Sequence, residues 1–274
     1  MFASQCGRCS GGRHKRNDSK MATNNKVAIV TGGANRVGGA IVEDLAAHGW
    51  AVAIHCNRSR QDADGLAAQI VASGGHAAVI PANLSDLDSI DDIVRRTVEA
   101  LGAPSLLVNN AATYERDTFG SLDRVQWRRQ MTLNFEAPVF LSEAFAEAAT
   151  GEHEANIVNI IDQVVLKPTP RNVSYQLAKS ALWTATQMLA QALAPRIRVN
   201  AIGPGPTLPN DRQSMERFRQ QTGSVLLGRG PELAEFGRTV RYFVENRSVT
   251  GQMMCLDGGQ HLSWETPDTA EFDE

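Results

Sequence analysis

Short apolar runs alternate with amphipathic stretches along the chain from Lys26 to Gly259. The first run, KVAIVTG (26–32), is almost continuously apolar, the pattern of a strand covered on both faces. AIVEDLAAHG (40–49) then spaces its apolar positions three and four apart, predicting a helix that Gly49 stops. The same two periods recur. Strands are predicted at 50–56, 76–84, 105–111, 155–161, 197–203 and 251–259, and helices at 61–73, 86–101, 121–149, 173–193 and 231–246. A Pro/Gly-rich break follows 203, and 210–222 reads as a polar segment without an assigned element. Strand and helix in alternation predict an α/β fold: one Rossmann-type, doubly wound domain over 25–263, with a seven-stranded parallel sheet and helices on both faces.

The ends read differently. Residues 1–24 are rich in Gly, Ser and charge and have almost nothing to bury, which predicts a disordered basic tail. That head lacks the apolar core of a secretory signal, and a start at Met21, leading straight into the first strand, is the simpler account of it. Residues 264–274 form an acidic tail that either reaches a neighbouring subunit or is disordered.

Charge and composition narrow the classes. The net charge of −3, of which the first 24 residues carry +4, does not favour a nucleic-acid surface. No apolar run approaches the roughly 18 residues of a membrane span. Four cysteines, two of them in predicted strands (Cys56, Cys255), require no oxidising compartment, so a cytoplasmic location is expected. Cys6 and Cys9 make a lone CxxC without a second pair. None of the six histidines is read as pairing with another His, Cys or acid at ligand spacing, so no metal is expected.

Candidate chemistry begins at TGGANRVGGA (31–40), a glycine-rich turn between a strand and a helix. Gly32 and Gly38 let backbone approach a pyrophosphate, and the helix N-terminus offers that anion free N–H groups. Arg36 stands at the mouth of the turn, where it pairs with a cofactor phosphate or an electron-rich substrate face. The second strand ends in HCNRSR (55–60), with Arg58 and Ser59 where an acid would select NAD. A cation and a hydroxyl suit a 2′-phosphate, so NADPH is the expected cofactor.

Tyr175 and Lys179 lie one turn apart in SYQLAKSAL, and Asp162 stands 13 positions before the tyrosine. A lysine on the same face favours the phenolate and is expected to draw the tyrosine pKa down toward neutrality. An ionised carboxylate at 162 has no donor for a developing oxyanion. It accepts from ring N–H or amino groups, and it relays a proton where burial raises its pKa, which suits a nitrogen heterocycle with a C=N bond to reduce.

Taken together, TGxxxRxG (31–38), NNAA (109–112), Asn134, YQLAK (175–179), NAIGPG (200–205) and TGQMMCLDGG (250–259) resemble the short-chain dehydrogenase/reductase superfamily over nearly all of 26–260. The resemblance implies a catalytic set of Asn134, Tyr175 and Lys179, with Lys179 also on the nicotinamide ribose. It implies cofactor contacts from Gly32, Asn35, Arg36, Val37 and Gly38, from Arg58 and Ser59, and from Asn83 and Leu84. Further cofactor contacts fall on Asn110, Ala111, Tyr175 and Lys179, and on Pro204, Gly205 and Thr207. Most of the superfamily has Ser or Thr where this chain has Asp162. Arginine in the glycine loop, HxxRS, this aspartate and Tyr-x-x-x-Lys are similar to the pteridine reductase and dihydromonapterin/dihydrofolate reductase branch. That likeness implies a pterin-like small-molecule substrate held by Arg36, Tyr114, Asp162 and Tyr175, and a homotetramer formed by the helices at 121–149 and 173–193. Two readings stay beside it: a carbonyl or alcohol oxidoreductase, and a non-catalytic NADP-binding homologue.

Overall fold

The computed structural model describes residues 26–149, 154–209 and 213–264. Residues 1–25, with Cys6 and Cys9, and residues 265–274 lie outside the described residues.

Seven strands form one all-parallel sheet in the order β3-β2-β1-β4-β5-β6-β7. They are β1 (Val27–Val30), β2 (Ala51–Cys56), β3 (Ala77–Pro81), β4 (Leu106–Asn109), β5 (Ala155–Ile160), β6 (Ile197–Pro204) and β7 (Met253–Leu256). Every residue of β1, β4 and β5 is buried, as the unbroken apolar runs require of strands sandwiched between helix layers.

Helices α1 (Arg36–Ala47), α2 (Arg60–Ala72) and α8 (Leu233–Glu245) bury Ile41, Leu45, Leu66, Phe236 and Phe243 against one face. On the other face, α3 (Ile90–Leu101), α5 (Ala137–Ala148) and α6 (Val173–Leu193) bury Ile90, Ile93, Leu141, Phe145 and Ala190. A buried amide ladder ties the layers together where strands approach the site. Asn109 Nδ2 donates to Asn159 Oδ1 at 2.8 Å, and Asn159 Nδ2 donates to Thr186 Oγ1 at 2.9 Å.

Two departures from the sequence reading matter. The helix expected over 121–149 is α4 (Arg124–Met131) and α5 joined by a π-helical turn at Thr132–Glu136. Such a turn inserts one residue into the 3.6-residue period, and here it delivers Asn134 fully buried toward the site. Helix α7 (Met215–Gly223) begins within the polar segment at 210–222 and runs one residue past it, capped by Ser214 Oγ accepting from Arg217 N–H at 3.3 Å. None of its residues is buried, which is why no apolar stripe announced it. Among the described residues no helix is long and apolar enough to cross a membrane.

Candidate active site

The strand order reverses between β1 and β4, where crossovers leave in opposite directions and open a crevice at the strand C-terminal ends. The turn after β1 sits in that crevice. Gly32 has φ +60, and a Cβ on Gly38 would lie inside the carbonyl oxygen of Gly32 and 2.6 Å from Asn110 Nδ2. Only glycine lets α1 begin this close to the strand. Thr31 Oγ1 accepts from the N–H groups of Asn110 and Ala111 at 2.9 and 3.0 Å, and Asn110 Nδ2 donates to Thr31 O at 2.8 Å. The two halves of the sheet are thus tied at the site. The cradle that a Cβ would fill, with α1 beginning behind it, fits a pyrophosphate.

His55 braces the turn from the neighbouring strand, a role the sequence reading missed although it quoted the residue. Gly32 N–H donates to His55 Nδ1 at 3.1 Å, so the ring proton sits on Nε2 and donates to Ala82 O at 3.2 Å. Burial lowers its pKa to about 4 from 6.5, against a smaller opposing effect of the Ala82 bond. The unfolded chain therefore binds this proton more tightly. Stability from His55 is complete above about pH 6.5 and is lost as pH falls toward 4, about 3 kcal/mol in all. Denaturant melts across that window are expected to show a steeper acid loss in the native protein than in His55→Asn; equal slopes would remove His55 from the account.

The remaining predicted cofactor residues line the crevice in different ways. Asn35 leads into α1 and donates from Nδ2 to Asp62 Oδ2 at 3.3 Å. Arg36 takes the unusual φ of +53 and donates to Pro209 O at 3.2 Å, bridging the glycine turn to the segment after β6. Val37 packs on the core and also lines the central cavity. Arg58 and Ser59 fall at the end of β2, with Arg58 exposed. Asn83 Oδ1 accepts from Ser85 N–H at 3.1 Å and joins the ends of β2 and β3 through Asn57. Leu84 is 5% exposed and packs within the core. Pro204, Gly205 and Thr207 form the far wall, where Thr207 Oγ1 donates to Gly205 O at 3.0 Å.

Two of the four catalytic candidates, Asp162 and Tyr175, line a cavity of about 490 Å³ together with Arg36 and Tyr114. Asp162 follows β5 and caps a short turn, Oδ1 accepting from Val164 N–H at 2.9 Å while Oδ2 accepts from Tyr175 OH at 2.9 Å. Burial raises its pKa above the ordinary carboxylate range, opposed by those two hydrogen bonds and by the Lys179 charge. Lys179 is buried, donates to Ile160 O at 2.8 Å and lies 6.0 Å from the Tyr175 ring centroid. Burial pulls its pKa down to about 8, with Asp162 pulling the other way.

One expectation fails here. The Tyr175 pKa is not drawn toward neutrality but raised well above 10, first by burial and then by the Asp162 carboxylate. An anion in hydrogen-bond contact with the phenol outweighs an ammonium farther off, so Tyr175 is held as a protonated donor.

Tyr114 packs edge-on against Tyr175, centroids 5.1 Å apart at 82°, and remains 45% exposed toward the cavity. Its loop is locked from beneath. Asn134 Nδ2 donates to Thr113 O at 2.9 Å and Asn134 Oδ1 accepts from Thr113 N–H at 3.0 Å. Gln130 donates to Glu115 O and to Ser174 Oγ at 3.0 and 2.9 Å, and the Asp117 carboxylate accepts from both N–H and hydroxyl of Ser174. The sequence reading named neither Gln130 nor Asp117. They join the loop carrying Tyr114 to the first turn of the helix carrying Tyr175, a link with no sequence period.

The view that no histidine meets an acid or cysteine is also corrected. Cys255, Asp257 and His261 place ligand atoms within 4.8 Å of one another. Asp257 is already engaged, accepting from Gly259 N–H, His261 N–H and His261 Nδ1–H at 3.0, 2.8 and 2.7 Å. Cys255 is pushed to about 11 by burial, then by Asp257 and Asp162, so it is a poor thiolate.

Residues 26–220 match the short chain dehydrogenase family. The chain is 28% identical over 240 residues to a 3-oxoacyl-[acyl-carrier-protein] reductase of Synechocystis, covering 85% of this chain and 96% of that one. Among solved structures it is 54% identical, with a TM-score of 0.87, to FolM alternative dihydrofolate reductase 1 of Brucella suis in complex with NADP, over 89% of this chain and 98% of that one. It is 30% identical, with a TM-score of 0.78, to a blue fluorescent protein from a metagenomic library in complex with NADPH, over 86% and 98% of the two chains.

Proposed function

The chain belongs to the short-chain dehydrogenase family, and on that premise we propose that it is an NADPH-dependent reductase of a C=N bond in a pterin or dihydropterin. The observation that carries this reading is the 2.9 Å hydrogen bond from Tyr175 to Asp162. A carbonyl substrate calls for a donor at 162, whereas a carboxylate accepts from the N–H and amino groups of a heterocycle. The 54% identity to a dihydrofolate reductase crystallised with NADP supports both substrate class and cofactor.

When bound, NADPH would supply the hydride; Gly32 and Gly38 would cradle its pyrophosphate, and Arg58 and Ser59 would meet its 2′-phosphate. The chain's own residues handle the proton. When Asp162 is ionised, the Tyr175 hydroxyl is committed to it. When Asp162 takes up a proton, Tyr175 is free to donate to the substrate nitrogen and is recharged from the carboxyl. Burial favours that protonated state by raising the Asp162 pKa. Lys179 holds positive charge behind the pair below about pH 8. Tyr114 and Arg36 flank the ring site, and Asn134 keeps the Tyr114 loop in register.

Phe140, Leu177 and Met188, exposed at 46%, 47% and 63% on α5 and α6, support a homotetramer built on those helices. A cytoplasmic location fits this reading. A protonated Asp162 is itself a donor, and that, with the 28% identity to a 3-oxoacyl reductase, favours carbonyl reduction as the second reading.

NADPH consumption by purified protein across a panel of pterins, folates and ketones tests the choice. Oxidation with dihydropterins well above every ketone is expected. Silence with every pterin and folate would overturn the reading, and faster ketones would select the second.

A further inference from the structure

Beyond Asp162 the cleft continues. A second cavity of about 670 Å³ adjoins the catalytic one, and Gln163, Val164, Asn172, Gln221 and Gln260 stand in the walls of both. Four of these five carry carboxamides, so the neck between the cavities is polar and uncharged. The Gln163 carboxamide oxygen is buried without a hydrogen-bond partner, and the residue is only 9% exposed.

Among the described residues the rear cavity is lined by Lys167 and Arg171 and by no carboxylate, in a chain whose net charge is −3. Lys167 Nζ donates to Ser263 O at 2.6 Å, which holds the ammonium in place without neutralising it. Arg116 and Arg217 add guanidinium groups around the front cavity, where Asp162 is the single acid among the described residues of the wall. The cofactor's phosphates do not account for the rear cations. Neither the glycine turn nor the end of β2 contributes to that cavity. A compartment whose described charged residues are all basic, reached through an amide neck from the reacting atoms, suits an extended substrate whose far end is an anion.

We infer that the rear cavity is a subsite for an anionic arm of the substrate, Lys167 and Arg171 pairing with its carboxylate or phosphate and the carboxamide neck holding the linking atoms. This assignment rests on the pterin reductase reading and adds to it which pterins are preferred. Lys167 and Arg171 are both exposed, so their replacement leaves the fold intact.

The experiment compares KM for dihydrofolate (a carboxylate arm), dihydroneopterin triphosphate (a phosphate arm) and dihydrobiopterin (a neutral arm), in the native protein and in Lys167→Gln/Arg171→Gln. At low ionic strength the native protein is expected to show a KM about 10-fold lower for at least one anionic arm than for the neutral one. The double variant erases that preference by raising the anionic KM, with kcat and the dihydrobiopterin KM unchanged. Which anionic substrate shows the preference distinguishes carboxylate from phosphate. Equal KM values across the three in the native protein, or a double variant that raises all three alike, overturns the subsite. Should no pterin turn over, the loss falls on the reductase reading. Calorimetry of aminobenzoylglutamate and of inorganic triphosphate with the NADP-loaded protein then reads the rear cavity directly. Binding of either that the double variant abolishes upholds the subsite, and absence of both overturns it.

Discussion

Asp162→Ser is expected to lower the rate of dihydropterin reduction by about 10²–10⁴-fold, the usual range for loss of a positioned acid–base group. The serine hydroxyl is short and cannot hold both the Val164 N–H and the Tyr175 OH, which Asp162 does at 2.9 Å each. It carries no titratable proton, so Tyr175 has no neighbour from which to recharge. Removing the anion also removes one of the two causes named first for the raised Tyr175 pKa. The variant should therefore gain the ordinary donor pair of a carbonyl reductase while losing the heterocycle. Steady-state kinetics with a dihydropterin and a panel of ketones read both changes together. Undiminished dihydropterin turnover would show that the carboxylate is incidental to substrate choice. NADPH affinity, set at the other end of the crevice, should not move.

Gly38→Ala should do the reverse, removing cofactor affinity by about 100-fold or more while leaving the Asp162–Tyr175 pair in place. The added methyl would lie inside the Gly32 carbonyl and 2.6 Å from Asn110 Nδ2, and neither neighbour can retreat. Gly32 is held by His55 at 3.1 Å, and Asn110 is held to Thr31 by bonds of 2.8 and 2.9 Å. The strain is that of an overpacked core, about 1–3 kcal/mol of stability as well. Fluorescence titration with NADPH, alongside a thermal melt, separates the two effects. A variant that binds NADPH normally would show that the helix start is not the phosphate cradle.

The way each site part was legible depended on whether its cause is local. Gly32, Gly38, Arg58, Tyr175 and Lys179 could be named from the chain because a turn after a strand, or a one-turn helical spacing, is a local pattern. Helix α7 was passed over because it buries nothing and so carries no apolar stripe. The π turn at Thr132–Glu136 was invisible for a related reason: one inserted residue barely disturbs a helical period. Asp257 and His261 are four apart and were still overlooked, because their meeting depends on the tight turn after β7 rather than on a regular helix.

The chain alone determined the architecture, the glycine turn between β1 and α1 and the presence of an acid before the tyrosine. Apolar periodicity dictates which faces are buried, and burial of both faces leaves little alternative to a parallel sheet between helices. Only the folded chain decided the protonation logic of the site. Tyr175, Asp162 and Lys179 each titrate away from their ordinary range chiefly because they are withdrawn from water. How far a group is withdrawn, and whether an anion or a cation stands nearer, is a sum over neighbours that are remote in sequence. That sum reversed the expected direction for the tyrosine. It also set His55 beneath the glycine turn and Asp117 beneath helix α6, contacts spanning 23 and 57 positions that no local pattern encodes.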